Sequence, residues 1–476
     1  MVVAGSVPSG SGTAGSAPSG VGGLTVPSAV AVATSTPGGQ LPTGALSESG
    51  GSAPAGGASA SVTGAGPPGA TGALPRPTAA PTDHGPIQVG FQVTSDLQAG
   101  FAATGASGSA PDETPMVQAL ERWVNSTGGI DGRRLDVVIH HTAVTRGSFS
   151  DQAEEACTDF LQDHHVLIVA SSPVDASDDL TNCVAGHHVP IVVQDLWPYD
   201  DAYYRKYPDL LYSPGRASPD RWAQPVVDTL RSGGYFTAGA KVGLVRFDAP
   251  VYARMGDRLN SALTRRGLSF TKVVAIGTPG SLSDFGAMSA AISNAIVQFR
   301  SVGVDHLMFA ASGELPFFFM TDAESQHYRP RYGLTTNDVP STQVTRGVPP
   351  AQFAGALAAG WQPANDSGDP NAHVHNAAWT LCNHIMHKYG VATNGFFTDS
   401  HCDSMFFIRR ALAALPVFSA AGMAQVVARF GTSYESPLTF ATAFGPARFD
   451  GAHELRLAAY QTGCGCFAYT GPLRPM

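Results

Sequence analysis

From residue 86 onward, short β-branched runs alternate with longer stretches whose apolar positions recur every three or four residues. That is the pattern of strands alternating with amphipathic helices. Residues 87–93 predict a strand opening into a polar loop, 94–115, and residues 116–125 a helix with Val117, Leu120 and Val124 on one side. A glycine-rich loop, 125–134, leads to a strand at 135–139. Helices over 149–163 and 176–186 then alternate with strands at 166–169 and 189–193. An irregular stretch, 198–215, breaks the rhythm. It restarts with helix 222–233, strand 241–247, helix 253–266, strand 270–276, helix 285–302, strand 305–310, a helix beginning near Phe317 and a strand at 332–336. In the helix 285–302, Met288, Ile292, Ala295, Ile296 and Phe299 make one apolar face. Further helices are predicted over 377–389, 405–415 and 419–430, with connecting or edge segments at 434–439 and 464–469. Strands separated by helices imply parallel sheets, which bind ligands beyond the carboxyl ends of their strands. The expected fold is α/β, with two Rossmann-like halves in succession.

Residues 1 to about 85 are Gly, Ser, Ala, Pro and Thr almost throughout, with no aromatic residue and only Glu48, Arg76 and Asp83 fully charged. Such a stretch cannot bury enough apolar surface to offset its ordering entropy. It is expected to be a disordered tether, able to hold the folded part near a membrane surface. The 476 residues suffice for two or three domains, and a net charge of -9 argues against nucleic acid as the main partner. No run of about 20 apolar residues is present, so no spanning helix is expected. The first residues carry neither a charged n-region nor an apolar core, and no lipid-attachment cysteine is near them. The expectation is that the true start lies upstream or that a signal has been removed.

All six cysteines lie in the folded part, and an even number suggests disulfides in an oxidising compartment. Cys157 and Cys183 fall on consecutive predicted helices, Cys382 and Cys402 bracket a loop, and Cys464 and Cys466 are either a closely spaced pair or free thiols. Six reduced buried thiols are the alternative. His373, His375, His384 and His387 offer metal-ligand types, but His384 and His387 sit on a predicted helix without the glutamate of the zinc-hydrolase pattern. No metal or cofactor is expected, and no nucleophile elbow, phosphate loop or dinucleotide fingerprint occurs.

Asn125, Gly128, Gly129, Ile130, Gly132, Arg133, Leu135 and Val137 form a passage that resembles one in the type 1 periplasmic binding proteins. The nearest branch is the leucine/isoleucine/valine-binding-like substrate-binding proteins of ABC transporters. The resemblance runs from about Ile87 to the C-terminus. It implies two lobes joined by a three-segment hinge, with lobe 1 over 86–212 plus about 341–433 and lobe 2 over 213–340 plus about 434–476. It also favours a Cys157–Cys183 disulfide. It implies that Ser171 and Ser172, after a first-lobe strand, contact a ligand carboxylate. A helix N-terminus there suits an anion, although serine is equally a helix cap. Gln194 and Asp195 stand where the family has small Ala/Thr-type residues, and Trp197 follows as a candidate stacking residue. Tyr252 matches the family's second-lobe aromatic. Ser312 and Glu314 occupy a loop that normally carries a tyrosine, and Thr336 and Asn337 one that often carries an acid. These departures weigh against a standard amino acid as ligand.

The expected function is therefore an extracytoplasmic, monomeric solute-binding protein. It captures a small polar solute, amino-acid-like or other, between its lobes for an ABC importer, with no catalytic step. The alternatives are a ligand-sensing module signalling to a separate membrane partner, and an α/β enzyme whose site follows none of the motifs above.

Overall fold

The computed structural model describes residues 85–476 except Ala176. The tether expected over residues 1 to about 85 lies outside the described residues. The strands are β1 (Ile87–Thr94), β2 (Leu135–Thr142), β3 (Val169–Ala170), β4 (Ile191–Val192), β5 (Leu211–Tyr212), β6 (Val242–Phe247), β7 (Phe270–Ile276), β8 (His306–Ala310), β9 (Arg331–Thr335), β10 (Leu357–Gly360), β11 (Glu454–Gln461) and β12 (Cys466–Pro475). They form two sheets, ordered β2-β1-β3-β4-β5 and β12-β11-β10-β9-β8-β6-β7. The first is parallel throughout. In the second, β7-β6-β8-β9-β10 is parallel and repeats the order of the first, and β11 and β12 extend it antiparallel. The chain thus builds the same doubly wound half twice, and in each half the topology switches beside the first strand.

The glycine passage is turn chemistry. Gly129 has φ +74, and a Cβ there would sit 2.0 Å from the Arg133 carbonyl oxygen, so only glycine closes this turn. Asn125 clamps the start of β2: its Nδ2 donates to the Leu135 carbonyl at 2.9 Å, and its Oδ1 accepts from the Leu135 N–H at 2.8 Å.

The helix Thr114–Ser126 packs on one face of the first sheet together with Ala377–Lys388, Gly395–Ala413 and Ala420–Ala428. Tyr434, Phe444 and Phe449 belong to the same core, so this stretch lies with the first lobe rather than the second, where it was expected. Ring contacts of Phe407 with Tyr434 and Phe444, and of Tyr212 with Phe449, hold it there. β10 differs in the other direction. It pairs with β9, Leu357 opposite Gly333, and so belongs to the second sheet although residues from about 341 were expected in the first lobe. Its Leu-Ala-Ala-Gly sequence carries no β-branched residue, and the open edge of β9 dictates its conformation.

The chain crosses between lobes at residues 213–218, 361–367 and 450–453, and these crossings are laced together. The Ser213 N–H donates to the Phe449 carbonyl at 2.9 Å, and the Gly451 N–H to the Ser213 carbonyl at 3.0 Å. Gln362 Nε2 donates to the Gly215 carbonyl at 2.7 Å, and Thr439 Oγ1 to the Trp361 carbonyl at 2.7 Å. Disulfides join Cys157–Cys183, Cys382–Cys402 and Cys464–Cys466. The first ties the helices Phe149–Thr158 and Asp179–Gly186, and the second ties two helices of the first-lobe core. No described helix is long and apolar enough to cross a membrane.

Candidate functional site

A cavity of about 110 Å³ lies between the lobes, beyond the carboxyl ends of strands from both sheets. The first lobe supplies Gln92 and Thr94 at the end of β1, Phe101 from the helix Leu97–Thr104, Phe149 and Asp175. The second supplies Phe247 at the end of β6, Phe285, Ser312, Glu314, Phe317, Phe318 and Arg346. Rim contacts flank it on two sides. The Phe149 N–H donates to the Gly280 carbonyl at 2.8 Å, and the Ser107 N–H to the Arg346 carbonyl at 2.8 Å. A further cross-lobe tie is the ion pair of Arg254 with buried Asp200.

Six phenylalanines make the wall largely apolar. Its charges are few. The Arg346 guanidinium lies 4.7 Å over the Phe101 ring, and its buried Nε has no hydrogen-bond partner. Burial holds this guanidinium below its usual range, opposed by the Glu314 charge. Glu314 opens the helix Glu314–Ser325, a favourable place for a carboxylate. Burial, with the neighbouring Asp195 charge, pushes the Asp175 carboxyl up to about 7.

Of the residues singled out in the sequence, Ser312 and Glu314 line the cavity. Ser172 sits one layer behind the wall, where its Oγ is 3.0 Å from Thr94 Oγ1 and its N–H donates to Gln92 Oε1 at 3.0 Å. Ser171, Gln194 and Asp195 are gathered deeper. Ser171 Oγ donates to Asp195 Oδ2 at 2.8 Å, Gln194 Nε2 donates to Asp403 Oδ2 at 2.7 Å, and Arg216 Nη2 donates to the Gln194 carbonyl at 2.6 Å. Burial raises Asp195 to about 6 against the Arg216 charge, and it lowers Arg216 to about 10. Trp197 and Tyr252 meet edge-on across the lobes at 5.1 Å, both buried. Thr336 and Asn337 fall outside the cavity, among the buried groups near the crossings. Thr336 Oγ1 donates to Asp366 Oδ2 at 3.2 Å and accepts from the Trp361 N–H at 2.8 Å.

Arg346, Asp175, Gln92, Phe101 and Phe247 were not foreseen individually. The loop 94–115 and the strand ends were flagged as regions, but nothing around Arg346 marks it in the sequence. Among the described residues, Cys157, Cys183 and His187 are the one grouping with metal-ligand spacing, and both sulfurs there are bonded to each other.

No family model matches the sequence. No curated protein matches it either. Solved structures do. A fatty acid ABC transporter substrate-binding protein from Thermomonospora curvata superposes with TM-score 0.60 at 14% identity, over 82% of this chain and 93% of that one. An R. palustris solute-binding protein in complex with benzoate gives 0.58 at 15%, over 82% and 98%. A possible leucine/isoleucine/valine-binding protein from Rhodopirellula baltica gives 0.57 at 13%, over 83% and 98%. The fold is that of the type 1 periplasmic binding proteins. In this chain the cavity occupies the interlobe position. Of the hydroxyls and carboxylates singled out in the sequence, Ser312 and Glu314 line that cavity, and Ser171 and Asp195 are bonded to each other behind it.

Proposed function

We propose that this chain is the solute-binding component of an ABC importer, acting outside the cytoplasm as a monomer. Its solute has a small apolar or aromatic body and an anionic end. The observation that carries this reading is the interlobe cavity, walled by phenylalanines and carrying a guanidinium whose buried Nε–H has no partner among the described residues. Arg346 would take the anion, Ser312, Gln92 and Thr94 would add hydrogen bonds, and the rings would hold the body. Glu314 and Asp175 favour solutes that also carry a cationic or N–H group. An apolar cavity of about 150 Å³ accommodates benzene, so this smaller, part-open cavity of about 110 Å³ limits the apolar body to at most one ring or a short branched chain. Three disulfides support an oxidising location. Closure around the solute, read by a permease, requires no covalent step. Residues 86–212 with the 377–449 stretch, and 219–360 with β11 and β12, would be the two moving bodies.

The test is calorimetry and thermal shift with aromatic carboxylates, branched and aromatic amino acids and short fatty acids, against sugars and polyols. Carboxylates with apolar bodies are expected to raise the melting temperature. No shift with any of them, or a shift with sugars alone, overturns the reading.

A further inference from the structure

We propose that the Cys464–Cys466 pair is a thiol–disulfide exchange site for small solvent-borne thiols, distinct from the two pairs that hold the fold. The bridges Cys157–Cys183 and Cys382–Cys402 span 26 and 20 residues, and Cys157, Cys382 and Cys402 are buried. Closing loops of that size removes much unfolded-chain freedom. The third bridge spans a separation of 2, at the tip of the β11–β12 hairpin. That hairpin is already fixed by its own ladder, which runs from Glu454 opposite Pro475 to Gln461 opposite Cys466. The turn between them closes through Gly465 at φ +61, without help from a covalent link. This bridge therefore adds little to folding. Its Cys464 is exposed, while Cys466 is half-buried against Gly368.

Access decides which sulfur is attacked. A thiolate RS⁻ adds to Cys464 Sγ, the Cys464–Cys466 bond breaks, and its electron pair leaves on Cys466 Sγ, which takes a proton from water. A second RS⁻ attacks the thiol's own sulfur in the mixed disulfide, releasing RSSR and the Cys464 thiolate, which is protonated in turn. In sum two RSH lose two electrons to the pair, giving RSSR and the protein dithiol, and an external disulfide reverses the step.

The experiment equilibrates the full chain in graded reduced and oxidised glutathione at pH 7.5, quenches with acid, alkylates and maps the six cysteines by mass spectrometry. Cys464 and Cys466 are expected to be half reduced at a reducing ratio at least about tenfold milder than the other four require. The C466S variant is expected to accumulate a glutathione adduct on Cys464. The C464S/C466S double variant is expected to keep the parent circular dichroism and melting temperature. Reduction of all three pairs in one range, or a melting temperature several degrees lower in the double variant, overturns the proposal and makes the bridge a structural staple.

Discussion

Lowering the pH from 7.5 to 5 is expected to stabilise this protein. Burial pushes Asp175, Asp338, Asp366 and Asp403 up to about 7, and Asp195 to about 6. An unfolded aspartate titrates near about 3.9. These folded values lie above the unfolded one, so the fold favours the protonated form. That stability is complete below the unfolded value and is lost as pH rises through the folded one, a window of roughly pH 4 to 7. Within it, each proton held only by the folded state costs about 1.4 kcal/mol per pH unit of rise. Even two such protons amount to about 4 kcal/mol between pH 5 and 7. Burial and the Arg448 and Arg221 charges lower His453, which acts in the opposite direction but is a single, partly exposed group. Asp228, held down by Arg266, loses its contribution only below about pH 4. Urea denaturation at pH 5, 6, 7 and 8 measures the effect. A midpoint that is flat or climbs with pH refutes the reasoning. Asp366→Asn isolates one group. Asp366 Oδ2 accepts from Thr336, the Gln362 N–H and Tyr469, while Oδ1 has no partner. An amide oxygen can take over all three bonds, so the variant is expected to keep the fold and reduce the pH slope by about one proton.

Arg346→Met is expected to weaken binding of an anionic solute about tenfold or more, the scale of one charge-assisted hydrogen bond, while a neutral analogue of the same shape is much less affected; calorimetry measures both. Gly333→Ala places a Cβ 2.7 Å from Tyr235 Cζ. That ring cannot retreat, because its hydroxyl donates to the Leu307 and Arg331 carbonyls at 2.9 and 3.0 Å, so a loss of about 1–3 kcal/mol is expected in urea denaturation. Replacing Cys157 and Cys183 together with serine opens a loop of separation 26 and is expected to cost about 3 kcal/mol by the same measurement, with an unchanged circular dichroism spectrum.

Period and punctuation in the sequence carried most of the fold. The helical face from Met288 to Phe299 is buried as its spacing implies, and the glycine passage forms the turn that only glycine permits. The short strands β3, β4 and β5 are two residues each in the sheet and rest on their neighbours. β10 was missed because its residues have no strand preference of their own, and the edge of β9 confers one. The 434–449 stretch was misplaced because its aromatics say that it packs somewhere, without saying on which lobe.

The site was legible as a set of strand ends, since polar residues that follow apolar runs in an α/β chain gather at one edge of the sheet. Ser312 and Glu314 were found in that way, and the burial of Ser171, Gln194 and Asp195 follows from the same placement. Which of these groups face a cavity and which satisfy each other depends on the distance between lobes. That distance is fixed by contacts such as Ser107 with Arg346 and Phe149 with Gly280, whose partners are far apart in sequence. Local pattern therefore determined two sheet-and-helix halves and the loops that meet. Only their tertiary closure decided that the Arg346 guanidinium joins the cleft wall, because no short-range rule relates it to the ring of Phe101 beneath it.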